Sequence, residues 1–290
     1  MATRSVLKSP YKIVVPTDFS PGSSRAMRFA LALTGPGISV TAVHAVDPFQ
    51  YKFGPQESSN RRRQQAWTVA QESMALWLQE GNFCNASAAV IEGEAAPAVA
   101  EFIASKGTDL VVVGTSGRRH AKRLLLGSVA EEMFRDIKSP VVVLGPRTRV
   151  LKTKKLARLV FATDLEPHSL AALSQLSKLS NKFQAKVAII RAVPHASELP
   201  GERNRIRKET QEKFKAAADQ SLVKRTQRIH VAFAPPAQAI TGFANRLRAD
   251  AIIMGIRSGG ELIRAATHIP WTLAHRVIAE ARCPVITIRG

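Results

Sequence analysis

Short apolar runs separated by longer amphipathic stretches recur along the chain. Residues 11–16 (YKIVVP) read as a short buried strand. Thr17-Asp18-Phe19-Ser20 then leads into a stretch from about 22 to 34 whose Met27, Ala30, Leu31 and Thr34 keep helical spacing. Ser20 or a neighbouring hydroxyl would cap this helix, and Gly35-Pro36-Gly37 stops it. Residues 38–46 alternate, are rich in β-branched side chains and predict a second strand, ended by Asp47-Pro48. Residues 49–63 are polar and irregular, and a long helix to Glu80 is expected after them. Trp67, Ala70, Met74 and Trp77 share one stripe of that helix. The two tryptophans read as core packing under a sheet, with an aromatic ligand platform as the rarer alternative. A strand at 86–91, a helix at 95–105 with Pro97 in its first turn, a strand at 110–113, a helix at 128–137 and a strand at 141–144 complete the series. Five strands alternating with four helices predict an open parallel α/β sheet with helices on both faces.

The pattern then repeats. Leu159-Val160-Phe161-Ala162-Thr163-Asp164 matches Ile13-Val14-Val15-Pro16-Thr17-Asp18, and Arg282-Cys283-Pro284-Val285-Ile286 matches Lys138-Ser139-Pro140-Val141-Val142. Between them lie a helix at 168–180, strands at 186–193, 229–233 and 251–254, helices at 236–247 and 271–281, and a last strand at 285–288. Residues 200–225 are charged, with an apolar trace at Ile206, Phe214, Ala217 and Leu222. An internal repeat of this kind decides the fold class: two tandem five-stranded parallel α/β sheets of Rossmann-like form, over 1–149 and 150–290. The linker near 146–155 is short, so the two copies are expected to sit against each other.

The chemistry points to residues 109–128. A four-residue apolar run, Leu110 to Val113, ends on Gly114; Gly117 follows, and after nine intervening residues come Gly127 and Ser128 at a helix start. Strand, glycine-bearing loop and helix start together make an anion site, because backbone N–H groups converge where no bulky side chain blocks a phosphate. The loop carries no Gly-Lys-Ser/Thr in the first βα turn, so it is not a P-loop, and no GxGxxG follows strand one, so it is not a dinucleotide site. Paired carboxylates, a metal-spaced His/Cys cluster and a Ser-His-Asp order do not stand out, so neither catalytic nor metal-ligating residues are assigned.

At Gly114-x-x-Gly117, nine residues, Gly127-Ser128, the chain resembles the universal stress proteins in their tandem form. Asp18 after strand one and Ser139-Pro140 before strand five add to the likeness, which covers nearly all of 11–290. The resemblance implies an open five-stranded parallel α/β unit, binding of ATP or a related adenine nucleotide, with or without Mg2+, and dimers. Tandem members are expected to pair their two domains within the chain, and a homodimer stays open. Carried over, Pro16, Thr17 and Asp18 would lie by the adenine and ribose, Ala45 would offer backbone to the adenine edge, and Val113 would pack near the base. Gly114, Gly117 and Gly127 would let backbone approach ribose and phosphates. Ser128 would donate its hydroxyl to a phosphate beside the N–H groups of Ser128 and Val129. Local alternatives stand beside these roles: Asp18 as a loop or helix-cap partner, Thr17 as a loop backbone partner, the glycines as turn residues, Ser128 as an N-cap. Any hydrolysis is expected to be slow, since Asp18 suits the ribose or a metal-bound phosphate better than activating water.

The second copy departs from the pattern. Gly255 is kept, but Ser258 stands where Gly117 predicts a glycine, Gly259-Gly260 follow, and Trp271-Thr272 falls at the place of Gly127-Ser128. Asp164 survives, while Ala162 replaces Pro16. This half is expected not to hold ATP; the 262–270 loop is free to bind something else.

Composition narrows the remaining choices. The net charge is +20, from 42 Lys and Arg against 22 Asp and Glu. That raises attraction to anions in general. Without zinc-finger spacing, an RNP-like strand or a basic region before leucine heptads, no specific nucleic-acid partner is expected. A scaffold that binds anionic partners, and a slow ATPase or phosphotransferase-like enzyme, are the two alternatives to a nucleotide-binding stress-response regulator. Two cysteines, Cys84 and Cys283, fit a reducing compartment. With no secretory h-region at the start and no apolar run long enough to span a bilayer, a cytoplasmic protein is expected.

Overall fold

The computed structural model describes residues 10–52, 56–115, 137–149, 155–194, 199–256 and 272–289. In the first half these form β1 (Tyr11–Pro16), α1 (Pro21–Ala32), β2 (Ile38–Val46), α2 (Gln56–Glu80), β3 (Ser87–Glu92), α3 (Ala95–Ser105), β4 (Leu110–Gly114) and β5 (Val141–Leu144). The second half contributes β6 (Arg158–Ala162), α4 (Pro167–Ala171), α5 (Leu173–Phe183), β7 (Lys186–Ala192), α6 (Pro200–Ala217), α7 (Gln220–Arg225), β8 (Thr226–Ala232), α8 (Pro236–Leu247), β9 (Ala251–Ile256), α9 (Thr272–Glu280) and β10 (Val285–Arg289). The expected helix at 128–137 lies outside the described residues, apart from its last position.

Each half is a five-stranded parallel sheet, ordered β3-β2-β1-β4-β5 and β8-β7-β6-β9-β10. The aliphatic strands follow from burial on both faces. Ile13 and Val15 turn into the core beneath α1 and α2, and Val14 turns into the core beneath α3. In the second half α5, α6 and α7 cover the first of these faces through Leu176, Phe214 and Leu222, while α8 and α9 cover the other through Phe243 and Val277. Trp77 is buried as the stripe predicts, and its Nε1–H donates to Ser24 Oγ at 2.8 Å, so its polar edge is satisfied.

The two sheets are one. β5 and β10 pair antiparallel, with Val143 opposite Val285, Val142 opposite Ile286 and Val141 opposite Thr287. The centre of the pair sets Val142 against Ile286, its own counterpart in the repeat, as a two-fold relation between the halves requires. Both cores run across this junction. Lys182 Nζ of α5 donates to the Gly37 carbonyl at 3.2 Å and lies 5.2 Å over the Tyr11 ring, which meets Phe183 edge-on. Arg25 of α1 donates to the carbonyls of Gly145 and Thr148, both at 3.2 Å, and holds the chain where it leaves β5.

Three stretches depart from the sequence expectation. α2 starts at Gln56, inside the stretch read as irregular: positions 60–65 are all exposed, so they carry no apolar period to read. The helix expected at 168–180 is two: Ala172 N–H bonds the Ser169 carbonyl three residues back, a 3₁₀-like step between α4 and α5. The charged stretch 200–225 folds as α6 and α7, the latter capped by Asp219, whose side chain accepts from Leu222 N–H at 2.8 Å.

Because the cores are continuous, the halves are expected to unfold together. Ile286→Ala removes a fully buried side chain at the junction and is expected to cost about 3 kcal/mol. In urea titrations, first-half and second-half probes should shift by the same amount in a single transition; two separated transitions in the parent chain would refute this.

Candidate functional site

The strand order reverses direction at β1 and β4: the chain passes from β1 outward to β2 and β3, then returns to β4 on the other side. The crevice beyond the C-terminal ends of such neighbouring strands is where doubly wound sheets hold ligands. Pro16, Thr17 and Asp18 at the end of β1, Ala45 near the end of β2, and Val113 and Gly114 at the end of β4 converge there. Gly117, Gly127, Ser128 and Val129 lie outside the described residues.

The turn after β1 is built by its own side chains. Thr17 N–H bonds the Val43 carbonyl at 2.8 Å. Its buried hydroxyl accepts from Phe19 N–H at 2.9 Å and donates to Ser23 Oγ at 3.0 Å. Asp18 Oδ1 accepts from Ser20 N–H at 3.0 Å, an Asx turn. This turn sets Phe19 at φ 60° and hands the chain to Ser20, which caps α1 by accepting from Ser23 N–H at 3.3 Å. Asp18 therefore has a structural task, as the loop-partner reading anticipates. Its side chain is nevertheless exposed, and among the described residues its second oxygen meets no donor.

Gly114 also has a structural reason. A Cβ there would stand 2.1 Å from the Gly22 carbonyl oxygen, so the first turn of α1 packs its backbone directly on the end of β4. In the second half a Cβ on Gly255 would stand 2.7 Å from the Cα of Ser169 in α4. Helix-on-strand contact thus accounts for Gly255 in the half where the rest of the glycine pattern is altered.

The rest of the strand-end neighbourhood carries no sequence signal. His44 Nδ1 lies 2.8 Å from the Thr17 carbonyl. A carbonyl only accepts, so Nδ1 carries the proton and a neutral ring keeps its acceptor at Nε2. Phe19 lies against the imidazole, with ring centroids 4.4 Å apart. Glu92, at the end of β3, accepts from the Tyr51 hydroxyl and from Arg63 of α2. Hydrogen bonds from Tyr51 and Arg63 hold the Glu92 carboxyl below its ordinary range, and burial, then the bond to Glu92, raises Tyr51. The cluster ties the 48–51 turn and α2 to the sheet.

The second half repeats the turn and changes its surroundings. Thr163 N–H bonds the Ile190 carbonyl, Leu165 N–H bonds Thr163 Oγ1, Glu166 N–H bonds Asp164 Oδ1, and Leu165 sits at φ 68°. Here the carboxylate has further partners. Ser169 Oγ donates to Asp164 Oδ1 at 2.7 Å, and His168 Nε2 lies 3.4 Å from Oδ2. Arg191 occupies the place of His44 and donates to Thr210 of α6, and Phe233, one residue past β8, has Arg203 and Arg207 over its ring at 4.8 and 5.3 Å. Partial burial pushes the Asp164 carboxyl up, but the bonds from Ser169 and the Glu166 backbone, with His168 nearby, outweigh it, and the net shift is downward. Ser258, Gly259, Gly260 and Trp271 lie outside the described residues, as do the side chain of Thr272 and the 262–270 loop.

The molecule is a duplicated, doubly wound α/β protein whose first half has its switch point at the ends of β1 and β4. A sequence model of the universal stress protein family matches residues 11–145 and again 156–289. The chain belongs to that family, in tandem form. It is 30% identical over 142 residues to a universal stress protein of Methanocaldococcus jannaschii, covering 46% of this chain and 81% of the relative. It shares its fold with a crystal structure of a universal stress protein from Archaeoglobus fulgidus, at a TM-score of 0.63, 18% identity and 96% coverage of both chains. A putative universal stress protein from Pseudomonas aeruginosa matches at a TM-score of 0.57 and 15% identity, over 96% of this chain and 93% of that one. Among the described residues, no helix is long and apolar enough to cross a membrane, and no group of three or more His, Cys, Asp or Glu is placed to hold a metal.

Two tests separate structural from ligand roles here. Gly114→Ala and Gly255→Ala should each destabilise the ligand-free protein, Gly114→Ala by about 2 kcal/mol or more since backbone must move; denaturant midpoints equal to the parent would exclude the close packing. For Asp164 the folded pKa is depressed, so its stabilisation is present above the unfolded value and is lost as pH falls through the folded one. The stability gap between the parent and Asp164→Asn should therefore close below about pH 4; a gap that stays constant down to pH 2 would show that the carboxylate charge contributes nothing.

Proposed function

We propose that the protein binds an adenine nucleotide, ATP with or without Mg2+, at the strand-end crevice of its first half, and that it acts as a cytoplasmic regulator in the stress response. The proposed contacts are Pro16, Thr17 and Asp18 near adenine and ribose, Ala45 by the adenine edge, Val113 near the base, and Gly114, Gly117, Gly127, Ser128 and Val129 around the ribose and phosphates. Residues 1–149 form the nucleotide-binding domain in this reading. Residues 150–290 form a partner domain that holds no ATP.

The observation that carries the reading is the contrast between the two aspartates at one structural position. Asp18 is exposed and spends one oxygen on its own turn, and among the described residues the other oxygen meets no donor, which leaves it for a ribose hydroxyl. Asp164 is bonded by Ser169 and approached by His168. The residues assigned to the base, Ala45 and Val113, are small and aliphatic and belong to one packed cluster at the ends of β2 and β4, which supports an apolar setting for a purine. Association of two chains has to use other surfaces than β5 and β10, since these strands are already paired with each other.

The test is mass spectrometry of the small molecule released when freshly purified protein is denatured, with its amount per chain. One adenine nucleotide per chain is expected. Two per chain would overturn the assignment of the second half, and none, followed by no binding of added ATP-magnesium, would overturn the function. Gly127→Asp puts a carboxylate and bulk at the proposed phosphate position and should abolish binding while leaving the circular dichroism unchanged.

A further inference from the structure

The duplication supplies an internal control for the opposite end of the sheet. Arg158 of β6 stands in direct register with Lys186 of β7, and Arg228 of β8 pairs with Ala188, two residues along from Lys186. Residues two apart on a strand share a face. Val160 and Ala188 point into the core beneath α8 and α9, so the three cations lie side by side on that face, at the N-terminal strand ends. With Val160, Ala188 and Leu247 they line a cavity of about 180 Å3. No acidic side chain lines it. Among the described residues, none of the three cationic side chains takes part in a hydrogen bond or an ion pair. Asp250, the neighbouring acid, is used by the backbone: its Oδ2 accepts from the N–H groups of Ala157 and Arg158 at 3.0 and 2.8 Å.

The first half does not build this feature. Strand register places Lys12, Ser39 and Ser87 at the corresponding positions. Lys12 there has a structural partner, since its Nζ donates to the Lys106 carbonyl at the end of α3, at 2.7 Å. Asp109 holds the Lys12 backbone N–H as Asp250 holds that of Arg158. The scaffold is thus the same in both halves. In the second, two serines are replaced by cations around the shared basic residue, and that residue makes no bond to the helix end.

We propose that this cavity binds a small dianion of the phosphate class, either free phosphate or the terminal phosphoryl group of a phosphomonoester. Three positive charges around one small hollow repel each other, and no acidic side chain lines it. A dianion would remove that repulsion, and its oxygens accept from the guanidinium forks of Arg158 and Arg228 and from the Lys186 ammonium. The hollow is below the roughly 300 Å3 at which sites for drug-sized ligands begin, so it takes an anionic group and not a whole nucleotide. The site lies at the opposite strand ends from the proposed nucleotide crevice and is independent of it.

The experiment is calorimetric titration of the full chain with inorganic phosphate, and separately with glycerol phosphate, at low ionic strength. The comparison is the double variant Lys186→Ser, Arg228→Ser, which restores the first-half residues at two exposed positions and so leaves the core intact. Saturable binding of one anion per chain is expected in the parent, weakened at least tenfold in the double variant at an unchanged thermal midpoint. Tighter binding of phosphate or of glycerol phosphate would identify the source of the anion, and either supports the site. Equal affinity in parent and variant, or no saturable binding in the parent, would overturn it. The readout does not depend on whether ATP binds at the other end.

Discussion

The antiparallel pairing of β5 with β10 is the interaction on which the rest of the structure depends. A parallel five-stranded sheet ends in an open row of backbone donors and acceptors, and here that row would belong to strands whose side chains are buried on both faces. Val141 to Leu144 and Val285 to Ile288 are buried on both faces, Thr287 included. Pairing the two edges satisfies the backbone groups and lets both cores continue from one half to the other. Among the described residues, outer edges remain at β3 and β8. The repeat makes this possible because a strand meeting its own counterpart antiparallel is related to it by a two-fold axis, and the short linker keeps the partner at hand.

A second constraint operates at the strand ends. Thr17 and Thr163 build the same turn through the same bonds, and a glycine at the end of β4 and of β9 lets the backbone of the helix after β1 and after β6 come into contact. These parts of the family pattern belong to the scaffold, which explains why they appear in both halves. The halves differ in what surrounds the turn: Asp18 against the multiply bonded Asp164, His44 against Arg191, Glu92 with its tyrosine and arginine against Phe233 with two arginines over its ring. Functional divergence after duplication is written in these side chains, and at the other end of the sheet in Lys186 and Arg228, while the backbone is shared.

Much of the fold is legible in residue order alone. The buried strands read clearly because Val, Ile and Leu run together, and α1, α3 and α8 read clearly because their apolar positions keep period. Residues 56–65 do not, since positions 60–65 are all exposed and leave no stripe, and 200–217 offer only the sparse trace of Ile206, Phe214 and Ala217 among charged residues. At the strand ends, the positions of Asp18 and Gly114 after a strand are legible in the sequence. His44, Phe19 and the Tyr51–Arg63–Glu92 cluster are not, since each looks locally like an ordinary strand, turn or helix residue and meets its partners only across the fold.

The sequence by itself determined the fold class, the duplication, the family and the asymmetry of the glycine pattern between the halves. All of these are carried by residue order along one stretch of chain, where spacing and propensity act locally. Tertiary structure decided that the two sheets are one, that Gly114 and Gly255 make room for a helix backbone, and that Arg158, Lys186 and Arg228 stand together. Those facts depend on strand register and on the order of strands across the sheet, which bring together residues up to about 145 positions apart.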